Sequence, residues 1–152
     1  EMAKKANLPQ VIQDIIVQHH GNSLVSYFYK QAEKNQDGKD IIREENFRYD
    51  APLPQTKEAV IIMVADAVEA AVRSLAKPVA GRIEAVVRKI IKEKLNDGQF
   101  DQSNITLKEL DIMADTFVKM LSGMYHKRIE YPEKELRAEI ERSRKNGGNN
   151  ES

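Results

Sequence analysis

Apolar residues recur along this chain at the three-to-four spacing of amphipathic helices, and no convincing stretch keeps the period-two alternation of a half-buried strand. The opening EMAKKAN reads as the end of a helix, stopped near Asn7 by the Leu8-Pro9 step. Val11, Ile12, Ile15 and Ile16 predict an amphipathic helix from Pro9 to His20, closed by Gly21. Ser23 reads as the N-cap of a shorter helix, LVSYFYKQAEKN, with Leu24 and Phe28 on its apolar face. Residues 36–55 carry Gly38, Pro52, Pro54 and mixed charge, a loop long enough to wall a site, with Phe47 and Tyr49 as anchors to the body.

Thr56 caps the next helix, whose core stretch 59–76, AVIIMVADAVEAAVRSLA, is apolar on nearly every side. Such a helix belongs at the centre of a bundle, with neighbours all around it. A helix starting at Pro78 follows; over 82–95 it places Ile83, Val86, Val87, Ile90, Ile91 and Leu95 on one face, and Arg88, Lys89, Lys92, Glu93 and Lys94 mainly on the other. Asn96, Asp97 and Gly98 end it. Thr106 with Glu109 is a capping box, opening a helix that buries Leu107, Leu110, Met113, Ala114, Phe117, Val118 and Leu121. Pro132 begins a last, charge-laced and exposed helix. The expected fold is an all-α bundle of about five or six helices, one domain over 1–146 with a disordered polar tail at 147–152.

Composition narrows the function classes. The 152 residues, 41% hydrophobic, suit a single core. Twenty-four basic residues balance twenty-four acidic ones, so no global field draws a nucleic-acid polymer or an anionic membrane, and any phosphate binding is local. Without cysteine a metal would need His, Asp or Glu. No apolar run reaches the roughly 20 residues of a membrane span.

Few residues offer chemistry. Asp66 is a carboxylate among Met63, Val64, Ala65, Ala67 and Val68, so it must be neutral, exposed at a cleft, or paired with a cation or metal. His19 and His20 stand about 100° apart on a helix, and a relaxed last turn before Gly21 lets both rings face one cavity, where neutral imidazoles are good metal ligands. The bland alternative is a pair of core-edge histidines satisfied by backbone groups. His126 reads as an exposed residue near a helix C-terminus. Asp66, Glu69 and Arg73 share one helical stripe. Either Glu69 neutralises Arg73 in a salt-bridge stripe, or the stripe is a site wall with Asp66 on a metal and Arg73 facing an anionic substrate.

The run LPQVIQDIIVQHHG, then SLVSYFYKQA, a proline-containing loop ending PQTKEA, MVADAVEAAVRSL, KIIKEKLNDGQFDQSNITLKEL and MYHKRIEYPE resembles the cytoplasmic HD domain of the bacterial seven-transmembrane HD proteins. The resemblance extends to about Glu133 and implies an HD-domain-like bundle lacking its N-terminal helices. Members are membrane-anchored phosphodiesterases that hydrolyse cyclic di-AMP to the linear dinucleotide at a two-metal site, commonly iron or manganese. By this resemblance His19 and His20 ligate one metal and Asp66 the other, and Arg73 matches an arginine of the family's VEAAxR segment. Separately from the resemblance, Arg73 and Lys57 are expected contacts for the substrate phosphates. The resemblance also implies a place at the cytoplasmic face of the membrane, attached only through a preceding transmembrane region. The family's upstream histidines and its adjacent His-Asp pair have no counterpart here. Asp50 and Ala51 replace a more usual Pro-Gly, and Asn22 stands where a small hydroxyl residue is common.

With three of the expected ligands, the chain alone is expected to bind metal poorly and to be inactive or nearly so. The alternatives are a degenerate nucleotide-binding regulatory domain, or a helical interaction module that self-associates through apolar surface.

Overall fold

The computed structural model describes residues 1–35 and 42–126. The expected helix from Pro132 and the tail lie outside them. Six α-helices, and no strand beyond an isolated bridge between Leu24 and Arg48, are present among the described residues. The fold class is all-α.

The core is built by three long helices. Helices α1 (Met2–Lys5), α2 (Gln10–Gln18) and α3 (Ser26–Lys34) precede a short 3-10 turn, Glu44–Phe47, and α4 (Lys57–Arg73), α5 (Ala80–Asn96) and α6 (Leu107–His126) follow it. Helix α4 starts where Thr56 accepts a hydrogen bond from the Ala59 N–H and ends about a turn before the expected limit, at Arg73. Val60, Val64, Val68 and Val72, one helical turn apart, form its buried stripe with Ala59 and Met63. Ile83, Val87 and Ile91 of α5 and Leu110, Met113, Ala114 and Leu121 of α6 close the same core, with α5 packed on both α4 and α6. Each fully buried valine in this stripe contributes about 1.5–3 kcal/mol of transfer free energy.

The capping box at α6 forms in both directions: Thr106 Oγ1 accepts from the Glu109 N–H, and Glu109 Oε2 accepts from the Thr106 N–H.

Several expectations need correction. Helix α4 is not enclosed on every side among the described residues: Ile61 and Ile62 are 42% and 43% exposed. Helix α2 packs on α4 yet buries no residue fully, and its expected apolar face, Val11, Ile12 and Ile16, is open. Periodicity identifies the apolar face of a helix, not the element that covers it. Leu107 and Phe28 are likewise exposed. Helix α3 begins at Ser26 behind Val25, so Ser23 caps nothing. The Ser23 hydroxyl accepts instead from Lys94 Nζ, 71 residues away. Helix α5 starts at Ala80 rather than Pro78.

Candidate functional site

The turn after α2 is set by what lies beneath Gly21. Gly21 is buried at φ +54, a conformation that costs a side chain energy, and an added Cβ would sit 2.4 Å from Gln99 Oε1 and 2.9 Å from Met63 Cε. Glycine alone lets the chain lie this close to α4 and to the segment after α5. Gln18 Oε1 accepts from the Gln55 N–H, fixing the end of α2 over the entrance to α4.

His19 and His20 follow from that placement. Their ring centroids are 4.0 Å apart, and His19 Nδ1 lies 2.9 Å from the Ile16 carbonyl oxygen. A carbonyl oxygen only accepts, so Nδ1 carries a proton and Nε2 is the ring nitrogen not engaged by that bond. His20 stacks on Tyr49 at 4.5 Å with the planes inclined by 6°. The loop ahead of α4 thus reaches the histidine turn through Tyr49, and Phe47 meets Tyr29 edge-on at 5.7 Å.

Asp66 lies three residues beyond Met63, hence next on the same flank of α4. It is exposed, so the carboxylate keeps its hydration and the problem posed by its apolar neighbours is solved at the surface. His20 and Asp66 are near enough to interact. Burial, and then the charge of His19, pull the His20 pKa below its usual value, Asp66 pushes it up, and Lys94 lowers it again. The balance favours the neutral imidazole, the form that donates a lone pair.

Gln99, fully buried, gives Nε2 to Asn22 Oδ1 at 2.6 Å and to Asp97 Oδ2 at 2.8 Å, while its Oε1 faces Gly21 without a hydrogen-bond partner. Arg48 clamps the assembly, donating to Asp97 through both terminal nitrogens at 2.7 and 3.1 Å, to the Asn22 carbonyl at 3.0 Å, and to Glu44. Asn22 is therefore used twice, by side chain and by backbone. Hydrogen bonding from Arg48 holds the Asp97 carboxyl below its usual pKa, and Asp97 in turn raises that of Arg48.

Arg73 and Lys57 are not brought to the histidines. Arg73 pairs with Glu69 at 3.3 Å, well exposed, and Lys57 pairs with Glu109 at 2.5 Å. Along α4 they stand about 10 Å and about 13 Å from Asp66.

Sequence reading missed Arg48, Gln99 and Lys94. For Lys94 a signal existed, since position 94 falls on the same helical face as Ile83, Val87 and Ile90. Arg48 meets Asp97 across 49 residues, and no local pattern announces such a pair.

Among the described residues no group of three or more His, Cys, Asp or Glu side chains is placed to hold a metal ion. No described helix is long and apolar enough to cross a membrane.

No family model matches the chain. It is 52% identical over 132 residues to the cyclic-di-AMP phosphodiesterase PgpH of Bacillus subtilis, and 46% identical over 134 residues to the PgpH of Listeria monocytogenes. These alignments take in 87% and 88% of the chain but only 18% of each relative's length. The crystal structure of the L. monocytogenes PgpH HD domain in complex with cyclic-di-AMP superposes with a TM-score of 0.77 at 43% identity, covering 86% of this chain and 60% of that one. The chain is thus similar, over most of its length, to a part of the HD domain of the PgpH phosphodiesterases.

Proposed function

We propose that the protein to which this chain belongs hydrolyses cyclic di-AMP to the linear dinucleotide, and that this chain is the C-terminal part of its HD domain. The observation that supports this most is the pairing of His19 with His20, beside Asp66, inside a fold shared at 43% identity with a domain solved with cyclic-di-AMP bound. In this reading His19, His20 and Asp66 are part of a ligand set for two divalent transition metals, iron or manganese, that residues beyond this chain complete. Three donors are too few to hold two ions. The chain's own contribution is to orient the donors. Gly21 brings the turn onto α4, Tyr49 holds one face of His20, and the Arg48–Asp97–Gln99–Asn22 network fixes the backbone after the histidines. Substrate contact by Arg73 or Lys57 requires each to exchange its carboxylate, Glu69 or Glu109, for a phosphate. The protein acts at the cytoplasmic face of the membrane.

Full-length protein incubated with cyclic di-AMP and manganese gives linear dinucleotide, and a chelator stops the reaction. Absence of product under both iron and manganese would overturn the reading. The 152-residue chain alone gives little or no product.

A second reading, a helical association module, draws on the exposed Val11, Ile12, Ile16 and Val17 of α2. A full-length protein that self-associates through this face and leaves cyclic di-AMP intact would favour it.

A further inference from the structure

A cavity of about 400 Å³ opens between the histidine turn and α5, lined by Ser23, Leu24, Arg48, Ala67, Ile90 and Lys94, with the carboxylates of Glu44, Glu93 and Asp97 at its wall. Ala67 directly follows Asp66, so the cavity adjoins the candidate ligands. Its carboxylates are engaged, Glu44 and Asp97 by Arg48, and Glu93 by Lys89 at 3.7 Å. Arg48 is equally committed.

Lys94 differs. It is half-buried, forms no ion pair among the described residues, and gives one hydrogen bond, of 3.0 Å, to the neutral Ser23 hydroxyl. An ammonium has three donors, so two remain for another acceptor. Ser23 lies three residues after His20, and the bond ties the ammonium to the turn that carries both histidines. A cation held in a partly dry cavity without a carboxylate in contact gains most from an anion that enters beside it. Lys94 feels the charge of Asp66, and His20 feels that of Lys94, in keeping with the ammonium lining the cavity next to the histidine turn.

We propose that Lys94, held by Ser23 and facing this cavity, is the residue that binds a phosphodiester oxygen of the dinucleotide substrate, in place of Arg73 and Lys57. The inference rests on the phosphodiesterase reading and names a substrate-binding residue for it. Lys94→Met keeps the apolar stem and removes the charge, and Lys94→Arg restores the charge.

Both variants are made in the full-length protein. Equilibrium binding of cyclic di-AMP is measured with hydrolysis stopped by chelator, and kcat and KM are measured with manganese. Losing a charge-assisted hydrogen bond weakens binding and raises KM about 10- to 100-fold in Lys94→Met, with partial recovery in Lys94→Arg. Ser23→Ala, which frees the ammonium without removing it, gives a smaller loss and decides the matter if Lys94→Met does not fold. Wild-type binding by a folded Lys94→Met, or by Ser23→Ala if that is the variant that folds, overturns the assignment while leaving the phosphodiesterase reading intact. Failure of the wild-type protein to bind or cleave cyclic di-AMP overturns both.

Discussion

The imidazole of His20 lies face to face with the phenol ring of Tyr49, the centroids 4.5 Å apart and the planes inclined by 6°. The contact joins two segments distant in sequence and fixes the ring that the proposed site needs most. Tyr49→Ala is expected to cost about 0.5–1.5 kcal/mol of pairing and to free the His20 ring, whereas Tyr49→Phe keeps both. Urea denaturation reads the first effect, and the NMR shift of the His20 ring protons reads the second. An unchanged His20 resonance in Tyr49→Ala would contradict the packing described.

Gly21 and Gly81 respond in opposite directions to the same substitution. Gly21→Ala puts a Cβ into Gln99 and Met63 at a positive φ and is expected to destabilise by about 2–4 kcal/mol. Gly81, in the first turn of α5, has nothing within 4 Å of an added Cβ. Gly81→Ala is expected to stabilise by about 0.5–1 kcal/mol, since alanine loses less backbone entropy on entering a helix. Chemical denaturation of the two variants measures both, and equal effects would sink the account of the turn.

The Arg48–Asp97 pair makes stability depend on acid. Asp97 has its pKa lowered by Arg48, so its contribution is complete above the ordinary value of 3.8 and disappears as pH falls through the lowered value. Arg48→Met is therefore expected to cost about 1 kcal/mol near neutrality, after allowance for solvent screening, and progressively less below pH 3.8. Glu109 behaves the same way: Lys57 and the Thr106 hydrogen bonds hold its pKa down at about 2, against 4.5 unperturbed. Lys57→Met should flatten the stability profile between these values. Melting temperatures of the variants from pH 2 to 7 test both, and a wild-type-to-variant gap that grew toward acid would contradict the sign.

Much of this fold was readable from the sequence because its three core helices obey simple spacing. Thr106 and Glu109 announced their capping box, and Gly21 the close of its helix. Coverage was not readable. Val11, Ile12 and Ile16 looked buried and are open, because a stripe of apolar residues does not say what packs on it. Asp66 looked awkward inside an apolar helix and proved to be at the surface, on the flank away from the valine stripe. The candidate site was legible only as residue types: the sequence pointed to His19, His20 and Asp66, while the groups that hold the histidine turn, Arg48, Asp97, Gln99 and Tyr49, come from segments whose meeting depends on tertiary packing. Ser23 was misassigned for the same reason, its partner Lys94 being 71 residues away.

Met63 links core to site, packing beneath Gly21 with 1% of its surface exposed. Met63→Ala is expected to cost about 2–5 kcal/mol and to loosen the histidine turn above it. Denaturation gives the cost. Amide exchange at Gly21 and Asn22 gives the loosening, and exchange as slow as in wild type would show that the turn is held without Met63.

In the proposed function, Asp66 and the paired histidines serve hydrolysis of a cyclic dinucleotide. The most direct test is the rate at which full-length protein forms linear dinucleotide from cyclic di-AMP with manganese, wild type against Asp66→Asn. The account predicts a fall of about 100-fold or more, as for removal of a metal ligand, with thermal stability retained because Asp66 is exposed. An Asp66→Asn protein that turns over cyclic di-AMP at the wild-type rate would contradict it.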